Sequence, residues 1–351
     1  MIAPSHISEV LPAVVPAKHR TVDDLLRELG ERESLENPDA VVPMNSLRLT
    51  ALGTLAMPEF DVRDSFAFTT WSKAQLASIV GVRWDRWFAH RTPVEQAEEV
   101  NSRLARSQEL LRVRTTRVAP EGSNAQGTLK ALLSESYTPL PDTAVLGMLM
   151  TALREVEPDL RVFRSALTEQ STSYMIGIGK PFRPGDDHEV GDIWGGVTVR
   201  NSGVGYAALG IFAGLLRLIC KNGMTAPIDG ALLLKRVHRA FDIERLRETL
   251  VKRLRDLPGK LALAGRVLAE SRHRMVTDPG EAFIAILRAA RLPVKLAEHI
   301  AAAYAEEPAL KGTAFGIAQA VTRAAQTLSA EIRFELEHAA GEYIRSLSRT
   351  N

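Results

Sequence analysis

The stretch from Val197 to Met224, "VTVRNSGVGYAALGIFAGLLRLICKNGM", restricts the fold more than any other part of this 351-residue chain. Between its two polar clusters, "RNSGVG" and "KNGM", lies a run that is apolar apart from Arg217. The run is shorter than the roughly 18 apolar residues a membrane span needs, so it must be buried inside the protein. The first cluster also raises the question of a phosphate-cradling loop. It lacks the third glycine of the dinucleotide fingerprint, and no acidic residue follows about 20 positions on at the end of a second strand. The nearest approach to a Walker loop, "MIGIGKPF", follows Lys180 with Pro181 and offers neither the hydroxyl nor the helix. Both pieces are expected to be strand ends or turns, with Arg200 and Lys221 at the two ends of the buried stretch. No cofactor is expected.

Around this stretch the hydrophobic period changes along the chain. "ELLRVRTTRVA" and "TLKALLSESY" read as two strands of a hairpin joined through "PEGSNAQG". "PDTAVLGMLMTALREVEPD" is a helix capped by Asp142 or Thr143 and ended by Pro158. "LRVFRSALTE", "STSYMIGIG" and "IWGGVTVRNS" are three further strands. From Ala231 the pattern is helical, broken at Pro258-Gly259, Pro279-Gly280, Pro293 and Pro308. Upstream, "TVDDLLRELGERESL" is a short helix, and "SFAFTTWSKAQLASIVGVRWDRWFAH" has helical spacing with a cap at Thr70 or Ser72. Within it, "AQLASIVGV" resembles the first half of a helix-turn-helix, or else belongs to a helical subdomain closed by Trp71, Trp84 and Trp87. The sequence therefore predicts an α+β fold. An antiparallel sheet of order ββαβββα occupies the middle of the chain, with a helical N-terminal subdomain and a mostly helical C-terminal half. The predicted domains are an N-terminal arm (1–45), a helical subdomain (46–108), an α+β core (109–230) and a helical region (231–351). There is no internal repeat.

Apolar residues make up 45% and charged residues 25%, the balance of a folded, water-soluble protein. The single cysteine, Cys220, sits among aliphatic residues and cannot form an internal disulfide, which points to a reducing cytoplasm. Prolines at 4, 12 and 16 break the N-terminal apolar run, so neither a signal peptide nor membrane insertion is expected. Net charge is only +2, but Leu215 to Met275 holds fourteen Lys/Arg against six Asp/Glu. That local +8 leaves −6 for the rest and suggests a polyanion partner.

The residues that can meet a polyanion are Arg112, Arg114 and Arg117 on or beside the first strand of the hairpin. Alternation puts Arg112 and Arg114 on one face. A second group is Arg200, Lys221, Lys235, Arg236 and Arg239, with Tyr206, Tyr137 or Tyr174 available to stack bases. The loop "PGDDHEVGD" sets Asp186, Asp187, His188, Glu189 and Asp192 together, either as a hard-cation site or as a solvated connection. The eight histidines form no metal or triad pattern, so the sequence offers no catalytic residue.

Three segments resemble, in order, a family of phage- and plasmid-encoded proteins named as the domain of unknown function nine hundred and thirty-two. They are "LKALLSESYTPLPDTAVL", "VRNSGVGYAALGIFAGLLRLICKNGM" and "GTAFGIAQAVTRAAQTLSAEIRFELEHAAGEYI". More distantly, the strand order is similar to that of phage single-strand annealing proteins of the Red-beta and Erf types, which bind single-stranded DNA as rings or filaments. The resemblance implies a non-enzymatic, oligomeric, single-stranded DNA binding or annealing protein of recombination. The alternatives are an interaction protein acting through its helical half and a metal-dependent nuclease using the acidic loop.

Overall fold

In the computed structural model, residues 21–57, 65–84, 87–157, 159–182, 193–217, 222–240, 242–306 and 311–348 are described. The chain opens with α1 (Val22–Ser34), capped by Thr21, whose hydroxyl accepts the Asp24 amide in a reciprocal capping box. Then follow β1 (Ala40–Pro43), β2 (Arg48–Leu49), β3 (Leu55–Ala56), β4 (Ser65–Phe68), α2 (Thr70–Val80) and α3 (Pro93–Leu104). The middle of the chain holds β5 (Leu110–Thr116), β6 (Gly127–Ser134), α4 (Asp142–Arg154), β7 (Leu160–Leu167), β8 (Thr172–Ile178) and β9 (Ile193–Asn201). After β10 (Leu209–Arg217), β11 (Asn222–Thr225) and β12 (Leu232–Arg236) come α5 (Ile243–Leu254), α6 (Leu257–Glu270), α7 (Pro279–Ala289), α8 (Leu296–Ala305), α9 (Ala314–Ala325) and α10 (Ala330–Ser348).

The α+β class stands, but the strands form two sheets rather than one. The first has the order β1-β5-β6-β4-β3-β2 and is mixed, because β4 and β6 run parallel while the other pairs are antiparallel. The second has the order β11-β10-β9-β8-β7, with β12 pairing β10 beyond β11, and all its pairs are antiparallel. The hairpin β5–β6 thus lies in a different sheet from β7–β9. The last helix of the expected order is also a strand. Leu209–Arg217 pairs with β9 along one edge and with β11 and β12 along the other. A strand covered on both faces has no alternation to distinguish it from a buried helix. The segment expected to be a helical subdomain contributes β2, β3 and β4, and the C-terminal region starts on β12 before turning helical.

One face of the second sheet, with Tyr174, Ile176, Val197, Val199 and Ile211, joins the large core with Leu146 and Leu149 of α4 and Leu250 and Leu261 of α5 and α6. α10 lies on the opposite face, where Phe334 meets Phe212 and acidic side chains meet arginines. The start of α4 departs from expectation. Its N-cap is Pro141, and its first donors go to α1: Glu33 accepts the Thr143 amide (2.9 Å) and hydroxyl (2.5 Å). Asp142 is then free to accept from Asn201 (2.7 Å) and Thr172 (2.6 Å). Likewise the cap of α2 is Thr69, with Ser72 as its reciprocal partner. α2 packs on β4 and β6 and ends at Gly81 in the left-handed conformation, so it is a sheet-covering helix.

The two sheets are joined through the loop between β9 and β10, the "RNSGVG" cluster. Three consecutive carbonyls accept donors from the other half of the molecule. Ser202 accepts the Tyr137 hydroxyl (2.7 Å), Gly203 accepts Arg114, and Val204 accepts both Trp71 Nε1 (2.8 Å) and Gln75 Nε2 (3.1 Å). Val204 is buried against Ala131, Leu133 and Trp71. A phosphate loop works by offering amides; here the amides of Val204 and Tyr206 are turned back onto the Ser202 hydroxyl. The cluster is thus an acceptor loop toward the rest of the molecule, the reverse of the donor arrangement of a phosphate loop. Gly205 is required in it, with φ of 78° and Leu133 only 2.6 Å from where a Cβ would lie.

Gly205→Ala should therefore lower the free energy of unfolding by about 1–3 kcal/mol. Gly147→Ala, on the exposed side of α4 with open space around it, should raise it by about 0.5–1 kcal/mol. Urea unfolding monitored by tryptophan fluorescence checks both signs.

Candidate functional site

The register of the second sheet builds one polar row across three strands. Arg200 of β9 faces Gly210 of β10, and Gly210 faces Lys235 of β12. Their Cα atoms lie two strand spacings apart, about 10 Å. Gly210 has no side chain, and the ring of Phe212 lies over it. α10 runs along the same face, so a groove of about 500 Å³ opens between it and β10–β12. Its walls carry Arg200, Lys235 and Arg345, the carboxylates Glu335 and Glu342, the rings of Phe212, Phe334 and His338, and Thr225.

Arg200 is the most constrained of these. It is 8% exposed, ion-paired to Glu335, and lies 4.7 Å from the ring centre of Phe334 and 5.5 Å from that of Tyr206. Tyr206 stands edge-on to Trp71 at 5.0 Å, and burial raises its phenol pKa against the lowering pull of Arg200. His338 contacts the Thr225 hydroxyl at 3.2 Å and Phe212 at 5.2 Å between ring centres. Its pKa is pushed below the ordinary imidazole value by burial, with Lys235 and Arg345 adding to the shift and Glu342 and Glu335 opposing it. Deeper on the same face, Glu337 is shared by Arg164 and Arg333, and burial lowers the Arg333 pKa.

The cations singled out in the sequence separate into two groups. Arg112 and Arg114 do share a face, but both reach Asp39 (3.5 and 3.0 Å); Arg114 also holds Glu36 (2.6 Å) and is only 11% exposed. They lie on the first sheet, away from the groove, and are neutralised within the chain. Arg117 is exposed and donates to the Ser34 carbonyl at 2.7 Å. Arg200 and Lys235 line the groove; Arg236, the next residue of β12, and Arg239, which bridges to Tyr137, are exposed but do not line it. No ion pair among the described residues holds Lys235, Arg236 or Arg239. Lys221 and the acidic loop with Asp186, Asp187 and His188 lie outside the described residues. Elsewhere, no group of three or more metal-ligating side chains occurs among the described residues. Nor is any helix among them long and apolar enough to cross a membrane.

Two of the three tyrosines proposed for stacking are not available. Tyr174 is fully buried in the main core, and burial raises its pKa well above the ordinary value. Tyr137 spends its hydroxyl on Ser202 and stacks on His238 at 5.1 Å. The sequence reading missed Phe212, Phe334, Glu335, His338 and Arg345. The acidic and basic positions of α10 look like an ordinary solvated helix face, and only the fold sets them against β9 and β12. No family model, curated protein or solved structure matches this chain.

Burial holds both His338 and His238 below the usual imidazole pKa of 6.5. A depressed folded-state pKa means that the unfolded chain takes up protons first, so stability is full above about pH 6.5 and falls as pH drops below it. The urea midpoint should be level from pH 8 to 7 and decline toward pH 5. In His338→Gln that decline should be shallower; an unchanged slope would assign the effect to other groups.

Proposed function

We propose that this protein is a non-enzymatic nucleic-acid-binding protein that holds a single strand along β12 and in the groove between β10, β12 and α10. The observation that carries this reading is the run of cations on and just after β12. Lys235, Arg236 and Arg239 are exposed and free of ion pairs among the described residues, while Arg112, Arg114 and Arg200 are held by carboxylates. Unpaired cations are the ones that release counterions from a polyanion without breaking an existing pair. The groove beside them adds the half-buried ring of Phe212, where a base can stack, and the half-buried Tyr206 lies on the other side of Arg200. Stacking in such a groove requires an unpaired strand, which favours single-stranded over duplex nucleic acid. The resemblance of three segments to the phage- and plasmid-encoded family stands beside these cations as support for a mobile-element origin. A role in DNA recombination as a ring or filament of copies is part of the proposal, and the strand order lends it nothing, because the two sheets replace the single ββαβββα sheet on which the likeness to annealing proteins rested.

A second reading rests on the same edge. Val237 is 60% exposed, and Leu232 and Ile243 are also exposed beside the cations. Such a basic and apolar strip also fits a protein surface, either another copy of this chain or a separate partner.

A salt titration of binding to a labelled oligothymidylate separates the two. Wild type should bind at low salt with a steep salt dependence. Lys235→Gln/Arg236→Gln/Arg239→Gln together should weaken binding and reduce the log–log salt slope by about 2, since each phosphate contact to a single strand contributes roughly 0.7. Absence of binding at low salt removes the nucleic-acid reading. Loss of self-association in Val237→Ser, seen by light scattering, would favour the second.

A further inference from the structure

We infer that Arg200 is the phosphate-reading residue of this groove, and that Glu335 occupies it as a carboxylate stand-in until a phosphate displaces it. This deepens, and rests on, the reading of the groove as a nucleic-acid site.

Arg200 is more than nine-tenths buried yet lines the groove, and its guanidinium is fixed against the rings of Phe334 and Tyr206. Its Nε is buried with no hydrogen-bond partner, so the arginine has donor capacity that Glu335 does not use. Rings fix the cation in place, which lowers the entropy lost when it grips an anion. Glu335 is the accessible member of the pair: its side chain is 37% exposed, and among the described residues Arg200 is what holds it.

The other carboxylates of α10 are placed differently. Glu337 is 5% exposed and shared between Arg164 and Arg333. Glu331 accepts the Thr168 hydroxyl at 2.6 Å and does not line the groove. Glu342 pairs with Arg345, which also has Asp229 at 2.8 Å, so its removal leaves that arginine neutralised. Exchange at Arg200 is thus the one that replaces one anion by another at a buried cation. It leaves no buried charge unpaired, and a phosphate brings more acceptor oxygens than a carboxylate. Lys235, in the same cross-strand row, stands ready for a neighbouring phosphate of the strand.

The test measures fluorescence anisotropy of labelled oligothymidylate on the full chain at one moderate salt concentration. Glu335→Gln should bind about tenfold tighter, because the net value of a hydrogen bond to a charged group no longer has to be given up. Glu342→Gln makes the same charge change in the same groove and should alter affinity less than about twofold. Equal gains from the two variants would mean a bulk charge effect and would overturn the inference, as would no gain from Glu335→Gln. Should Glu335→Gln fail to fold, Glu335→Asp keeps the charge but shortens the reach; it should bind about threefold tighter, and no gain there overturns the inference as well. If wild type itself does not bind, the nucleic-acid reading fails. If wild type binds and loses affinity with the β12 cations while Glu335 has no effect, only the displacement idea fails.

Discussion

The whole arrangement depends on three backbone carbonyls. Ser202, Gly203 and Val204 leave the end of β9 and accept hydrogen bonds from Tyr137, Arg114, Trp71 and Gln75, all of which belong to the β5–β6 half of the chain. Gln75 goes further, accepting the Leu132 amide of β6 at 3.0 Å while it donates to Val204. Buried carbonyls left without donors are costly, so the two sheets cannot separate without exposing this loop to water. The loop's other end runs into β10, the strand that forms the floor of the groove. The junction of the two halves and the candidate site are consecutive stretches of one segment.

Charge is distributed by the same logic. An excess of Lys/Arg in a sequence window is only a supply, and the fold decides how much of it faces solvent. Asp39 and Glu36, in the short connection between α1 and β1 and at its start, absorb Arg112 and Arg114. α10 brings acidic residues onto the arginine-bearing face of the second sheet and absorbs Arg164 and Arg200. β12 has no such neighbour among the described residues, and its Lys235 and Arg236 remain available.

Much of the scaffold was legible because its periodicities are clean. β5, β6, α4, β7, β8 and β9 fall on the runs that alternation, caps and turn residues indicate, and α5 to α10 follow helical spacing with proline breaks. What the sequence hid has definite causes. β2, β3 and β4 are two to four residues long, too short to show a period. β10 is buried on both faces, so its pattern is indistinguishable from a core helix. The parallel pairing of β4 with β6 spans α2 and α3 and leaves no local trace. At the site, Arg200 and Lys235 stood out as basic residues near a family-like segment. Their partners could not be found that way, because the Arg200–Glu335 pair joins positions 135 residues apart, a separation at which single-sequence patterns carry no contact information.

β12 also bears on how copies of this chain can meet. Arg253 of α5 donates to the Leu233 carbonyl at 3.0 Å, occupying an acceptor on the outer edge of that strand, and the exposed Lys235 and Arg236 put like charges along it. Edges treated in this way resist hydrogen-bonded extension of the sheet from one molecule to the next. Any ring or filament would then have to be assembled through side-chain contacts between faces. The spacing between subunits would be set by those contacts and by the nucleic acid, and not by the 4.8 Å repeat of a continuous sheet.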